Sequence, residues 1–346
     1  MASRTPHNPT PASPSTDTGS HKTTMNTAKI PTPESAKDKL RSRSHIPWMR
    51  LGTGGTGDDE KFNAPPPLAL GKGPEVDGLT AADRARIRFA VKGNAILTGG
   101  AGGLALASAR ALLEHGASGL ALLSLPADFN DPDVQKAISQ LRAEFPQANI
   151  QTAGVDVTNA EAMNSVVMEM RERLGPLRIL VCFAGVVNAV SSENMRPEEW
   201  RRVLDVNVTG SWFAAQAVGK EMIASKLGGR IVFISSISGH RVNYPQPQAG
   251  YNASKAAVLQ MRASLAAEWA QYGIRVNSIS PGYMDTVLNE GEALAPFREV
   301  WAARNPVGRM GTPGELVGPL VMLCSEVAGS YVNGADLIVD GGGSVF

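Results

Sequence analysis

The residues whose types and spacing suit proton transfer are Tyr251 and Lys255, in the stretch Tyr251-Asn252-Ala253-Ser254-Lys255. A loop-like run, 243–250, precedes them, and a run of helical composition, 256–269, follows. The tyrosine therefore falls at the opening turn of a helix, and a lysine four residues later shares its face. A free tyrosine titrates near ~10 and exchanges protons poorly at neutral pH. An ammonium group on the same face favours the phenolate and lowers that value. Such a pair is a proton-transfer device. A surface tyrosine beside an unrelated lysine has the same spacing, so the rest of the chain must decide.

A second stretch suits anion binding. Asn94-Ala95-Ile96-Leu97 reads as a buried strand. Thr98-Gly99-Gly100-Ala101-Gly102-Gly103-Leu104-Ala105 follows, and then a helix with Leu106, Ala109, Leu112 and Leu113 on one side. Strand, glycine turn and helix in that order suit a dinucleotide pyrophosphate. The glycines let backbone N–H groups approach the anion, and the helix N-terminus adds partial positive charge. The glycines between Leu51 and Gly57 have neither a strand before them nor a helix after, and they read as linker.

The elements that must position these residues form one repeating pattern. Short apolar runs at 94–97, 117–124, 149–155, 179–183, 230–234, 274–279 and 335–340 read as strands. Amphipathic stretches at 134–145, 160–174 and 256–269 read as helices, with two more within 198–221 around Asn207 and a short helix or arm at 81–86. This alternation predicts an α/β fold: a single doubly wound parallel sheet of Rossmann type with about seven strands. The predicted domain runs over 80–346. Residues 1–79 are rich in Pro, Ser, Thr and Lys without apolar periodicity, and they read as a disordered or loosely docked extension. Their scarcity of acids and several Arg and Lys suit a mitochondrial transit peptide. Pro6, Pro9, Pro11 and Pro14 break any amphipathic helix near the start, so cytoplasmic residence is expected.

Composition excludes several classes. A formal net charge of +1 offers no global field for nucleic acid or an anionic membrane. No apolar run is long enough to span a bilayer. Cys182 and Cys324 lie far apart in apolar runs and read as buried thiols, and the five histidines lack ligand spacing, so no metal is expected.

Taken in order, these motifs resemble the short-chain dehydrogenase/reductase family from about Asn94 onward. The loop from Thr98 and Gly99 to Gly103 and Leu104 is similar to the family's TGxxxGxG. Asp156, with Val157 after it, matches the acid following the third strand. Ala184-Gly185 match the second half of NNAG, Asn207 the family's asparagine, Ser236 its serine, and Tyr251 with Lys255 its YxxxK. Pro281, Gly282, Met284 and Thr286 match the loop that closes on the nicotinamide. The resemblance implies an NAD(P)-dependent oxidoreductase. Ser236 would donate a hydrogen bond to the substrate oxygen and Tyr251 would exchange its proton. Lys255 would lower the tyrosine pKa and hold the ribose, and Asn207 would hold a water linking Lys255 to solvent. The interval from Ser236 to Tyr251 is two residues longer than usual, which leaves Ser235 and Ser238 as alternative donors. The stretch 240–255 further resembles fungal enzymes acting on polyols and ketoses. The family also implies a homo-oligomer, dimer or tetramer, with an interface near Trp200, Trp212 and Phe213; the same residues also suit intramolecular core. A substrate lid is expected over 288–304, with Phe297 and Trp301. His240 reads as a loop histidine satisfied by backbone.

Three positions depart from the family pattern. Ala105 stands for its third glycine, and Cys182-Phe183 stand for Asn-Asn. Ser124 replaces the acid that would hold the ribose hydroxyls of NAD at the end of the second strand. The last change removes repulsion against a 2′-phosphate and favours NADP(H), although Asp128 and Asp131 follow closely. Two other functions stay open: a non-enzymatic NAD(P)-binding regulator, and a reductase of bulky acyl or secondary-metabolite ketones.

Overall fold

The computed structural model describes residues 78–286 and 294–345. The expected extension lies outside the described residues save for its last two, and so does the first part of the expected lid. The seven expected strands all form: β1 (Asn94–Thr98), β2 (Gly119–Ser124), β3 (Asn149–Gly154), β4 (Leu177–Cys182), β5 (Gly229–Ile234), β6 (Ile274–Pro281) and β7 (Asp336–Val339). They make one sheet in the order β3-β2-β1-β4-β5-β6-β7, parallel throughout. The order reverses between β1 and β4. Ligands of open α/β sheets lie in the crevice at such a switch point, beyond the carboxyl ends of the strands.

Helices cover both faces, so the central strands are buried on both sides and read as continuous apolar runs. On one face pack α2 (Gly103–Glu114), α3 (Pro132–Glu144) and α9 (Pro313–Cys324), through Leu112, Leu141, Leu316 and Leu320. On the other pack α4 (Ala160–Leu174), α6 (Ser211–Ser225) and α7 (Ala249–Trp269), through Met163, Met170, Val218 and Leu265. Strand side chains alternate between the two cores: Ala95 and Leu97 join the first, Ile96 the second. Three shorter helices complete the body: α1 (Ala81–Arg88), α5 (Pro197–Leu204) and α8 (Ala295–Ala303).

The sequence explains where helices start. Thr80 and Asp83 form a reciprocal capping box on α1. Asp131 caps α3, so this acid is consumed structurally. Helix α9 escaped the sequence reading because Gly314, Gly318 and Pro319 lower its propensity. Its start was nonetheless marked: Thr312 and Glu315 form a capping box, and Arg309 grips Glu315 with two hydrogen bonds of 2.8 and 2.7 Å. Its C-terminal carbonyls are capped by two buried guanidinium groups. Arg230 donates to Cys324 O at 2.9 Å, and Arg275 donates to Leu323 O and Ser325 O, each at 2.9 Å. Cations there also complement the helix dipole.

Candidate active site

Chain geometry brings the end of β5, the loop after β4 and the first turn of α7 together. Ser236 follows β5 and opens a short 3-10 turn, Ile237–Gly239. Tyr251 is the third residue of α7, as its opening-turn assignment required. Lys255, one turn later, is buried; its Nζ donates to Ile234 O at 2.9 Å and lies 5.5 Å from the centroid of the Tyr251 ring. Asn207 sits in a π-helical turn, Asp205–Gly210, between α5 and α6. Such wide turns are frequent at functional sites. Its Oδ1 accepts from Val186 N at 2.8 Å, and its Nδ2 donates to Val186 O and to Ser254 Oγ, each at 2.9 Å.

Both amide hydrogens of Asn207 are therefore committed to protein. The side chain ties the loop after β4 to α7, and only spare acceptor capacity is left for a water. Ser254 completes this tie and was missed in the sequence. Its signal was position: it stands three residues after Tyr251 and one before Lys255, on a buried stripe.

The protonation chemistry also differs from the sequence expectation. Burial pushes the Tyr251 phenol up from its ordinary value, and a hydrogen bond with Ser236 opposes that rise. Burial therefore outweighs the lowering expected from Lys255, whose Nζ lies 5.5 Å from the ring centroid and donates one hydrogen bond to Ile234 O. Burial in turn pulls Lys255 down to about 8, with Cys182 acting the other way. Of the three serines named as donor candidates, Ser236 is the one whose hydroxyl acts on the Tyr251 phenol. Ser235 Oγ turns inward to Lys255 O at 3.0 Å. Ser238 Oγ accepts from Ser236 Oγ at 2.9 Å and from Asn243 Nδ2 at 2.7 Å. Asn243, in the loop before Tyr251, thus joins a hydrogen-bonded chain behind Ser236.

The cofactor side is an open cradle. Gly99 has φ +64°, and a Cβ there would stand 2.7 Å from Ala184 N, so only glycine fits where this loop meets the strand across the switch point. A Cβ at Gly103 would meet nothing within 4 Å, which leaves space over the helix start. No side chain caps the N-terminus of α2 at Gly102, and its first turn carries no acid. An uncapped, acid-free helix start beside open space fits a pyrophosphate. Thr98 is buried, and Ala184 N donates to its Oγ1 at 3.4 Å. Gly185 lies over the catalytic candidates: a Cβ there would be 3.3 Å from Asn207 Oδ1 and 3.6 Å from Lys255 Nζ.

Several predicted cofactor residues contribute less than their side chains suggested. Met284 is buried in the first core, and Leu104 packs against it, so only their backbones can face a ligand. Val157 is buried beneath Gly210. Asp156 is exposed, and one carboxylate oxygen is taken by Thr158 N at 2.9 Å. Ser124 is buried, and its hydroxyl donates to Asp128, which also accepts from Leu125 N at 3.2 Å. Pro281 ends β6, Gly282 N donates to Val339 O at 2.9 Å, and Thr286 closes the first described stretch. In the position of Asn-Asn, burial pushes the Cys182 thiol up to about 12, and Thr98 bonds it.

A narrow cleft beside the site is lined by Ile237, Arg241, Tyr244, Tyr283, Trp301 and Arg304 among others. Trp301 stacks on Tyr283 with centroids 4.3 Å apart. The expected lid residue therefore packs down on the domain and walls the cleft at once. Among the described residues no cluster of His, Cys, Asp and Glu could hold a metal, and no helix is long and apolar enough to cross a membrane.

Known proteins resemble this chain in sequence and fold. The family model described as Enoyl-(Acyl carrier protein) reductase matches residues 99–344. D-arabinitol 2-dehydrogenase [ribulose-forming] of Candida albicans (strain WO-1) is 36% identical over 255 residues, 71% of this chain and 91% of that protein. A sorbose reductase of Schizosaccharomyces pombe is 35% identical over 259 residues, 73% of this chain and 97% of that one. The crystal structure of a gluconate 5-dehydrogenase from Burkholderia cenocepacia J2315, in complex with NADP and tartrate, superposes with a TM-score of 0.66 at 32% identity, covering 76% of this chain and 99% of that chain. With the switch-point cradle and the Tyr251–Lys255 turn in one crevice, these matches place the chain in the short-chain dehydrogenase/reductase family.

Proposed function

We propose that this NAD(P)-dependent oxidoreductase interconverts a secondary alcohol and a ketone on a polyhydroxylated substrate, a polyol and its ketose. The observation that carries the reading is geometric: buried Lys255 places its Nζ 5.5 Å from the Tyr251 ring centroid and 3.6 Å from where a Cβ at Gly185 would lie, at the mouth of the glycine cradle. The fungal relatives act on arabinitol and sorbose, which supports the substrate class. The non-enzymatic reading is not favoured, because a sensor has no use for the full set of Asn207, Ser236, Tyr251 and Lys255. Nor do the relatives favour bulky acyl ketones.

When bound, the nicotinamide cofactor supplies or accepts a hydride. Thr98, the Gly99–Gly103 cradle and Gly185 would hold it, with the backbone from Pro281 to Thr286. In the reducing direction Ser236 donates a hydrogen bond to the carbonyl oxygen and Tyr251 delivers the proton. In the oxidising direction Tyr251 takes it back. Lys255 faces the space under Gly185, where it would hold ribose hydroxyls. Asn207 fixes the loop that carries Gly185.

Following absorbance at the nicotinamide band with sugars, polyols and bulky ketones tests the reading. Turnover with polyols or ketoses is expected. Tyr251→Phe should lower kcat by about 10²–10⁴-fold while the cofactor still binds. Full activity in that variant sinks the acid/base role, and no turnover of any substrate revives the regulator.

NADP(H) is the proposed cofactor form, since Ser124 brings no carboxylate of its own to the ribose. Asp128 supports the opposite reading, because its carboxylate lies against the Ser124 hydroxyl. Paired titrations with NADPH and NADH decide, and Asp128→Asn should shift preference further toward NADPH. A homo-oligomer is also proposed: Trp200 and Met168 stay 39% and 58% exposed on the side of the sheet that carries α4. A monomer by light scattering would refute it. We expect cytoplasmic residence; import of a reporter fused behind residues 1–79 into mitochondria would refute that.

A further inference from the structure

The serine turn is held from two sides. On one side Ser235 Oγ donates to Lys255 O in α7. On the other stands His240, which caps the C-terminus of the Ile237–Gly239 turn through its backbone N–H to Ile237 O at 2.9 Å. The sequence reading left this ring to be satisfied by backbone. Instead its Nε2 lies 2.9 Å from Asp336 Oδ2 and 3.2 Å from Ser280 Oγ. Asp336 is on β7, and its side chain is only 10% exposed. Its other oxygen accepts hydroxyls from Ser278 and from Ser280, the latter at 3.0 Å. Ser280 is the residue immediately before Pro281-Gly282, where the nicotinamide-side loop begins.

A carboxylate this far from water needs donors on both oxygens. The two serines of β6 serve Oδ1, and the imidazole serves Oδ2. So one carboxylate on the last strand joins the turn of Ser236 to the start of the loop after β6. Nothing in local turn geometry requires the link, since the 3-10 turn already closes through its own backbone.

We propose that His240 and Asp336 are positioning residues: they lock the Ser236 turn to the Pro281 loop, so that the substrate-orienting hydroxyl and the nicotinamide-side loop keep one relative placement. This rests on the reading of Ser236 as the substrate's donor. Neither residue touches the reacting atoms. Misplacement of a reacting group by ~1 Å can cost about 10²-fold in rate.

Two variants and two readouts test it. His240→Ala removes the donor, whereas His240→Gln keeps an N–H able to reach Asp336. In turnover assays His240→Ala should lower kcat about 10–100-fold with cofactor affinity, read by protein fluorescence, within about two-fold of wild type. His240→Gln should recover most of that loss. Equal losses in both variants, or a kcat within about two-fold of wild type for His240→Ala, overturn the proposal. The second readout needs no substrate. Amide hydrogen exchange should accelerate in 236–241 and in 280–286 together when His240 becomes alanine, and return toward wild type with glutamine. Acceleration in one segment alone, or in neither, overturns the lock even if the wild-type protein turns over nothing, so failure of the lock and failure of the proposed activity are told apart.

Discussion

Lys255 carries the sharpest residue-scale consequence. An ammonium group in this position is buried among Ile234, Cys182 and Tyr251 before any cofactor arrives, and its pKa falls from 10.5 to about 8. Below about pH 8 both folded and unfolded chains hold the proton, and the folded state bears the full cost of the buried charge. Between about 8 and 10.5 the unfolded chain keeps a proton that the folded chain has released, so stability rises with pH. Cofactor-free wild type should therefore gain on the order of 3 kcal/mol relative to Lys255→Met across that window. Urea unfolding of both proteins, run in parallel at several pH values, measures the difference directly and cancels the thiols and arginines they share. Parallel curves would mean that the ammonium is solvated. The raised Tyr251 phenol makes a second prediction. Alcohol oxidation, which needs the phenolate, should climb as pH rises from neutral, whereas ketone reduction, which needs the phenol, should not. Of this site, Tyr251 and Lys255 were legible as a pair from their spacing on a helix turn, whereas Ser236 and Asn207 were singled out only through the resemblance to the family's motifs. The charges of these residues were not legible. Burial, which reverses the expected direction for Tyr251, is a property of what packs around them from far along the chain.

At the scale of elements, buried parallel strands announce themselves as short apolar runs, and all seven were read correctly for that reason. Helix α9 was not, because propensity argues against Gly314, Gly318 and Pro319 while tertiary contacts override it. Its C-terminus shows how. Arg275 reaches three carbonyls, Leu323 O, Ser325 O and Val332 O, at 2.9, 2.9 and 3.0 Å. A planar fork can serve such a set, and a point-like ammonium cannot. Arg275→Ala should lower unfolding stability by about 3 kcal/mol, since charged hydrogen bonds are lost and buried carbonyls stay unpaired. Arg275→Lys should restore only a small part. Chemical denaturation with an unchanged m-value checks both. A full rescue by lysine would show that charge near the helix end matters and the fork does not. Long-range pairs of this kind, and the His240–Asp336 link with them, leave no local pattern: 96 residues separate that pair.

At the scale of the whole molecule, the sheet, its two cores and every candidate site residue fall within 91–345. What precedes β1 is tied to the body at several points: Val91 is buried in the first core and its N–H donates to His115 O at 2.8 Å, and Lys92 O accepts from Arg230 at 3.2 Å. Arg88 O, at the end of α1, accepts Ser325 Oγ at 2.8 Å and Ala328 N at 3.0 Å. At its other end α1 is closed by the Thr80–Asp83 capping box, which needs nothing upstream. We propose that the domain boundary lies just before Thr80, and two truncations test it. A chain beginning at Thr80 keeps the cap, the α1 anchor and the whole site, so its kcat should stay within about two-fold of the full chain. A chain beginning at Gly93 strands Ser325 Oγ and Ala328 N beside the end of α9, removes Val91 from the first core and the Lys92 carbonyl from Arg230, and should unfold about 3–5 kcal/mol more easily. Thermal unfolding and turnover of the two truncated chains, each against the full-length protein, separate these outcomes. If the chain beginning at Thr80 is already impaired, residues before Thr80 act on the body, and the boundary drawn from the capping box is wrong.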